Sequence, residues 1–482
     1  MTQAATLLRK MACLAVIVTG DILALFVSFI AGFFLRDRVL TALPAFDFEA
    51  VPLGVQLQMG FFKGAVFLVV IFAFEKLYTR RLSFWDETRR LIEGATLAFI
   101  LIMTTVFIFQ TYAKFSRTVI ILAWLLSLGL FPITRLLVKK ILARSGLWRK
   151  NVVILGTGRS AQRVAGEILK NEILGYKIAG FLSEAGGNID EKLSGDLPVL
   201  GHIDDFEIIV REYDVKDAVI ALSNNRQNEL LQVVKACEPF VETIKIVPSI
   251  GNVFTAGVRI DELGDVLALS VPRNLAKPWN TAGKRTFEHL ICLALLILLA
   301  PLWLVIVAAL KIDSRGPVIF SQKRLGRGRK EFKIYKFRSM YLDGDARLER
   351  YLRDNPEARA EWETFQKLRG DDPRVTRIGK ILRTWSLDEM PQILNVLKGD
   401  MSLVGPRPYL PRELRKLGPM AAIICQVKPG LTGLWQVRGR NTLTFEERMA
   451  LDEFYVRNWS LWLDVVILFQ TVRAILRREG AF

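Results

Sequence analysis

A chain of 482 residues that is 51% hydrophobic and 24% charged carries too much apolar surface to stay disordered, and its length suggests about three domains. Its 66 Lys and Arg exceed its 48 Asp and Glu by 18, which calls for an anionic partner: nucleic acid, lipid headgroups or a phosphorylated substrate. The widely spaced Cys13, Cys237, Cys292 and Cys425 argue against a zinc ribbon or disulfide scaffold, and two histidines, His202 and His289, leave little room for a His-based metal site or a Ser-His-Asp triad.

Four apolar stretches of membrane-spanning size open the chain, near Met11–Leu35, Leu57–Phe74, Gly94–Ala113 and Thr118–Thr134. Cations cluster before the first (Arg9, Lys10), after the second (Lys76, Arg80, Arg81, Arg89, Arg90) and after the fourth (Arg135, Lys139, Lys140, Arg144). The positive-inside rule therefore places both ends of a four-helix domain, residues 1–145, in the cytoplasm. Asp21 falls inside the first span, as a functional group or as a bundle-facing contact.

Residues 146–270 read as a Rossmann-like cytoplasmic domain. Asn151–Leu155 is a buried strand, Gly156-Thr-Gly158-Arg-Ser-Ala161 follows, and a helical pattern runs to about Leu169. Further strands are expected at Lys177–Leu182, which ends beside Glu184, near Ala218–Leu222 and at Thr243–Val247. Gly156 and Gly158 stand where a dinucleotide fingerprint brings backbone amides to a pyrophosphate. The pattern speaks for the fold and only weakly for a ligand, so no cofactor is assigned to it.

The third domain, 271–482, begins at the Val271-Pro-Arg-Asn-Leu275 linker. Leu290–Leu310 is 21 residues without a charge, split by Ala300-Pro301. Its length is that of a transmembrane helix. However, Lys277, Lys284 and Arg285 precede it, and Lys311, Arg315, Lys323 and Arg324 follow, so both ends should stay on one face. Proline inside a helix favours a sharp bend. The reading is a re-entrant helix–break–helix over 285–311, with a fifth crossing as the alternative.

Between Lys311 and Arg338 ten cations face two acids, with aromatics at Phe320, Phe332, Tyr335 and Phe337. Beside a membrane segment most of these cations should rest on headgroups, while Lys336 and Arg338 could reach a substrate phosphate. Asp388 and Glu389 are adjacent carboxylates, so one can attack while its neighbour orients a metal or handles a proton. Ser386-x-x-Glu389 is equally a capping box. In Val404-Gly-Pro-Arg407-Pro408, two prolines and a glycine fix the backbone around one guanidinium suited to phosphate, and Lys428–Asn441 is a second Gly-rich basic turn with Arg438 and Arg440. Trp459–Arg478 has the spacing of an interfacial helix, or of a plain core-packing one.

Lys284-Arg285-x-Phe, the central-proline segment, Gln322-x-Arg324-x-Gly326, Tyr335–Met340, Ser386-Leu-Asp-Glu389, Val404–Pro408 and Gly439-Arg-Asn441 together resemble the bacterial polyprenyl-phosphate sugar-1-phosphate transferases. With the spans, the Rossmann-like middle and the ending Leu476–Phe482, the whole chain looks like the large members of that family. Two positions depart from it: Ala300 where the family usually has Ser, and Glu288 where it has Asp.

The resemblance implies a membrane helical bundle, an α/β domain and an α-rich catalytic domain with a re-entrant hairpin. It implies transfer of hexose-1-phosphate, galactose-1-phosphate first and glucose-1-phosphate next, from a UDP-hexose to undecaprenyl phosphate at the first membrane step of exopolysaccharide or O-antigen assembly. Asp388 is implied as nucleophile, Glu389 as its assistant, Mg²⁺ as cofactor near Asp388, and Lys336, Arg338, Arg383, Arg407 and Arg440 as phosphate ligands. The expected partners are UDP-hexose, undecaprenyl phosphate, membrane lipid and a second copy in a homodimer, with no nucleic acid. The expected site is the bacterial inner membrane, with the catalytic domain facing the cytoplasm. An NAD-dependent sugar-nucleotide enzyme is the rival, but no tyrosine has Lys four residues on. A non-catalytic basic membrane scaffold is the other.

Overall fold

Among the described residues of the computed structural model, four helices are long and apolar enough to cross a membrane: Leu8–Leu40, Leu53–Phe74, Phe84–Ile108 and Arg117–Arg144. The residues described are 3–42, 51–108, 116–183, 197–222, 230–247, 259–263, 266–270, 274–365, 372–439 and 443–477. Glu184, the 271–273 part of the linker, Arg440, Asn441 and the tail from Arg478 lie outside them. The chain divides into two compact units, Met1–Asn252 and Val253–Phe482.

Charged residues continue three of these four helices beyond their apolar runs. Some of those charges turn inward. Asp21, fully buried, takes both outer bonds of the Arg135 guanidinium at 2.8 and 2.7 Å. Lys139 meets Glu87 at 2.6 Å, and Arg135 also donates to the Leu77 carbonyl at 3.2 Å. Asp21 is thus a bundle-facing contact: its charge is matched where hydrocarbon could not hydrate it.

In the same unit, β1 (Lys150–Leu155), β2 (Tyr176–Ser183), β3 (Val199–His202), β4 (Asp217–Ile220) and β5 (Thr243–Ile246) form one parallel sheet ordered β3-β2-β1-β4-β5. The strand at Val199–His202 was not expected. Side chains of β1 alternate between two cores: Val152 and Ile154 face Ala161, Ala165 and Ile168 of the helix Arg159–Lys170, and Val153 and Leu155 face Phe206, Ile209 and Val210. A strand apolar at each of its last four positions, Val152–Leu155, fits a sheet covered on both faces.

The second unit is built around a broken helix. Pro278–Leu298 and Ala300–Asp313 meet at a bend of 61°. Pro301 lies in the first turn of the second limb, where a missing N–H costs nothing. At the break the Leu299 N–H still donates to the Leu295 carbonyl at 2.9 Å, and the Leu299 carbonyl accepts from the Trp303 N–H at 2.9 Å.

Each limb packs on a different part of the unit. Cys292 of the first limb joins Ile334, Ile393, Val396, Met401 and Leu403. Ile306 and Leu310 of the second limb join Phe337, Leu382 and Met390. Ile334 and Phe337 belong to an antiparallel hairpin, Ile319–Leu325 with Glu331–Phe337. A third element, Ser402–Val404, pairs in parallel with Gly430–Thr432.

The C-terminal helix is Leu461–Leu476. Trp459 does not sit at headgroup level as an interfacial helix requires: it is 3% exposed and donates to Asp464 at 2.9 Å inside the core. Phe469, Val472 and Leu476 form the exposed apolar part of the helix.

Candidate active site

The helix Arg377–Thr384 runs through Trp385 to Ser386, whose φ of 55° is left-handed. For a serine that conformation costs about 1–3 kcal/mol and persists only where packing dictates it. The chain turns there into a single 3₁₀ turn, Leu387–Glu389. The capping-box reading fails, since Ser386 makes no side-chain cap. On either side of the acids, Leu382 and Met390 pack against Ile306, Leu310 and Phe337, so the acidic turn is pinned to the second limb of the broken helix.

Lys336, at the end of the hairpin, serves both carboxylates: its Nζ is 2.6 Å from Glu389 and 3.9 Å from Asp388. The Asp388 side chain is 13% exposed. Burial pushes its carboxyl above the usual range, the Lys336 ammonium opposes this, and Glu389 adds to it. Arg383 stands in the field of Asp388 and donates from Nε to Ser339 Oγ at 2.9 Å. Asp388, Glu389, Lys336 and Arg383 therefore come together. An oxyanion set among fixed cations is disposed to attack an electrophilic centre that carries negative charge of its own.

Arg338 does not join them. It is 5% exposed and donates from Nη2 to the Ser314 carbonyl and hydroxyl, each at 2.8 Å, so its anchored end holds the turn after the second limb; its Nε and Nη1 make no hydrogen bond. Arg407 stands over Trp435 at 5.4 Å, with Glu413 at 4.0 Å. The two Gly-rich basic turns lie side by side: Gly405 N–H donates to Thr432 O at 2.9 Å and Gly430 N–H to Pro406 O at 2.8 Å. A Cβ on Gly405 would meet Gly430 N and Lys428 O at 2.8 Å, so only glycine permits the approach. In the first unit, Gly156 has a φ of 112° and backs onto the Ala221 carbonyl, whereas Gly158 faces open space before its helix.

Three residues of this region escaped the sequence reading. Arg324 donates to Pro408 O at 3.1 Å and feels both Glu389 and Arg407, so it links the acidic turn to the Arg407 loop. Its place in Gln322-x-Arg324 on one strand face was the available signal. Arg448 reaches Trp435 at 5.4 Å, as Arg407 does. Asp452 is fully buried below the loop, accepting from the Arg407 N–H at 3.1 Å and from Tyr409 Oη at 2.8 Å. Arg448 and Asp452 lie on an unremarkable helical stretch, and only folding brings them here.

Burial pushes the Asp452 carboxyl up to about 7, against the pull of Arg407 and Tyr409. Between the ordinary carboxylate range and that value, the folded chain keeps a proton that the unfolded chain has released. Stability therefore falls as pH rises through this window, and the loss is complete above it. Asp452→Asn is expected to flatten that part of the profile, raising stability near about pH 8 relative to about pH 5, as read by denaturant midpoints.

Bent helix, acidic turn and cation-rich loops define a membrane protein with a site fitted to phosphate chemistry. Residues 279–478 match the family model "Bacterial sugar transferase", and residues 77–248 match "CoA-binding domain". The UDP-galactose-lipid carrier transferase of Erwinia amylovora is 36% identical over 407 residues, which cover 84% of each chain. The undecaprenyl-phosphate galactose phosphotransferase of Salmonella typhimurium is 34% identical over 407 residues, again 84% of each. The exopolysaccharide production protein ExoY of Sinorhizobium fredii is 43% identical over 206 residues, 43% of this chain and 91% of its own. The chain belongs to the bacterial sugar transferases and is a transferase.

Proposed function

We propose that this chain transfers galactose-1-phosphate from UDP-galactose to undecaprenyl phosphate, giving undecaprenyl-diphospho-galactose and UMP. The two long relatives named above, both galactose enzymes, support the sugar. UDP-glucose is the second reading, supported by the undecaprenyl-phosphate glucose phosphotransferase of Komagataeibacter xylinus, 33% identical over 346 residues.

The observation that carries the mechanism is the largely buried Asp388 beside Lys336 and Glu389. An Asp388 oxygen attacks the β-phosphorus of the UDP-hexose, and the bond from that phosphorus to the bridging oxygen breaks. UMP leaves with the electron pair, and the hexose-1-phosphoryl group rests on Asp388. A phosphate oxygen of the lipid carrier then attacks the same phosphorus, and Asp388 departs as carboxylate. Lys336 and Arg383 offset charge on the transferring phosphoryl, while Arg324 and Arg407 suit the leaving diphosphate half. Arg440 is retained as a further phosphate ligand, and Glu389 handles the proton.

Among the described residues no group of three or more His, Cys, Asp or Glu gathers as a metal site. Two neighbouring carboxylates nevertheless fit Mg²⁺, which commonly takes one or two of them and completes its shell with phosphate and water. Asp388 and Glu389 would hold it, and it would supply charge neutralisation to the diphosphate.

The broken helix is read as re-entrant, entering and leaving by the cytoplasmic leaflet of the inner membrane, since cations flank both limbs. That places the acidic turn where a greasy phosphate and a soluble nucleotide can meet. The sheet of the first unit is read as Rossmann-like from its strand order. The chain is read as acting in a homodimer.

The test is incubation of the purified full chain with UDP-galactose or UDP-glucose, with and without undecaprenyl phosphate. UMP release and a hexose-phosphoryl mass on Asp388 are expected with UDP-galactose and no acceptor. UMP that forms only with acceptor present, and no adduct, would overturn the covalent route. A glucose lipid product alone would overturn the sugar.

A further inference from the structure

The second unit holds a cavity of about 330 Å³ away from the acidic turn, lined by Arg285 and His289 of the broken helix, Arg327 of the hairpin turn and Lys428. In the hairpin register Leu325 pairs Glu331 and Phe320 pairs Lys336, so Arg327 and Lys336 stand at opposite ends, roughly 15 Å apart along the strands. The cavity is therefore separate from the reacting groups.

Of the cations in its lining, Lys284 is paired with Glu288 and Asp464, whereas Arg285, Arg327 and Lys428 have no carboxylate partner among the described residues. No hydrogen bond or ion pair engages the side chains of Arg285, Arg327 or Lys428 among the described residues. Glu288, the acid in the lining, is already engaged: it pairs with Lys284 at 2.7 Å and accepts from Ser402 at 2.5 Å and the Leu403 N–H at 3.0 Å. Burial, and then the fields of Arg285 and Arg327, push the Lys428 ammonium below its ordinary value, with Glu288 and Asp400 opposing. Converging like charges of this kind are relieved by an anion.

The helix also says what kind of anion. Arg285, His289, Leu293 and Ile297 recur every four residues, hence on one face. That face changes from cation to hydrocarbon: Leu293 is 48% and Ile297 76% exposed. A soluble phosphate would use only the upper part. A ligand with a phosphate head and an apolar tail would use all of it.

We propose that this cavity binds the headgroup phosphate of an anionic membrane phospholipid through Arg285, Arg327 and Lys428, with an acyl chain lying along Leu293 and Ile297. The lipid is not a substrate. It fixes the depth at which the broken helix sits and so the height of the acidic turn. The inference rests on the reading of that helix as membrane-inserted.

The full chain is reconstituted in phosphatidylcholine vesicles with and without phosphatidylglycerol, extracted, and its retained lipid identified by native mass spectrometry. Phosphatidylglycerol should be retained at least about tenfold over its share of the bilayer. Arg285→Gln/Arg327→Gln/Lys428→Gln should lose the preference, and Arg285→Lys/Arg327→Lys should restore most of it, which separates loss of charge from loss of fold. Equal retention by the triple glutamine variant overturns the proposal. So does displacement of the lipid by inorganic phosphate at matched concentration, which would mark a site for soluble anions. Shielding of an Ile297→Cys thiol from aqueous maleimide tests insertion separately: a shielded thiol with no lipid preference sinks only the lipid site, whereas a freely labelled one sinks the membrane reading beneath it.

Discussion

Asp388→Asn is expected to lower turnover by at least about 10³-fold, because under the proposed covalent route no other group in the acidic turn takes the phosphoryl while it waits for the lipid. Glu389 is the nearest carboxylate, but Lys336 holds it at 2.6 Å, a position for proton handling rather than attack. The same variant should be more stable than the parent. The folded-state pKa of Asp388 is raised by burial, so its ionised form is disfavoured by the fold. That cost is absent below the ordinary carboxylate range, grows as pH rises through the raised value, and persists above it. Asn removes it. The melting temperature of the variant should exceed that of the parent at neutral pH, and the difference should close on acidification. Turnover of the parent should fall over the same acid range, as the nucleophile takes up a proton. Retained activity, or a variant less stable at neutral pH, would contradict the assignment.

Lys284→Ala is expected to cost about 3–5 kcal/mol of stability and, with it, most of the activity. The Lys284 ammonium is buried, donates to Asp464 at 2.6 Å, the Val404 carbonyl at 3.0 Å and Tyr455 Oη at 3.2 Å, and forms an ion pair with Glu288 at 2.7 Å. Its removal leaves two carboxylates buried in one place with no cation between them. Tyr455 still holds Asp464 at 2.7 Å, and the strand Ser402–Val404 still donates to Glu288, but neither neutralises charge. Val404 leads into the Arg407 loop, so the damage should reach the site as well as the fold. Chemical denaturation of the detergent-solubilised chain reads the loss. Lys284→Ala/Asp464→Asn should recover part of it, since one uncompensated charge goes. A single variant as stable as the parent would show that solvent reaches this network.

The longer arm of Glu288 finds a use in this network. From its helix it spans to the hydroxyl of Ser402 and the amides of Leu403 and Val404. A charge beside a charge four residues apart on one helix is legible as a pair, and Lys284 and Glu288 have that spacing. Asp464 lies far along the chain, and its share in the pair comes only from packing.

The linear order of residues determined a great deal here. Long apolar runs with cations at their ends specify membrane helices, because in hydrocarbon a single run must pair its own backbone polar groups and only a helix does so within one segment. An unbroken apolar strand at Val152–Leu155 specifies a covered parallel sheet, and Ala300-Pro301 specifies a break. Each of these follows from a local rule, although Pro132 inside the unbroken span Arg117–Arg144 shows that a proline alone does not force a break. Adjacency alone placed Asp388 with Glu389 and made the turn a candidate. Which cations serve that turn was decided in three dimensions. Lys336 meets the acids, Arg338 two residues on is drawn away to Ser314, and Arg324 joins the site from the partner strand. Positions two apart share a face only while the strand lasts; that of Lys336 ends at Phe337, so Arg338 is placed by the chain beyond it and by what packs there. Asp452, Arg448 and the buried Trp459 follow the same logic. Their helices look ordinary in sequence, and their partners lie on other elements, so packing decided their surroundings.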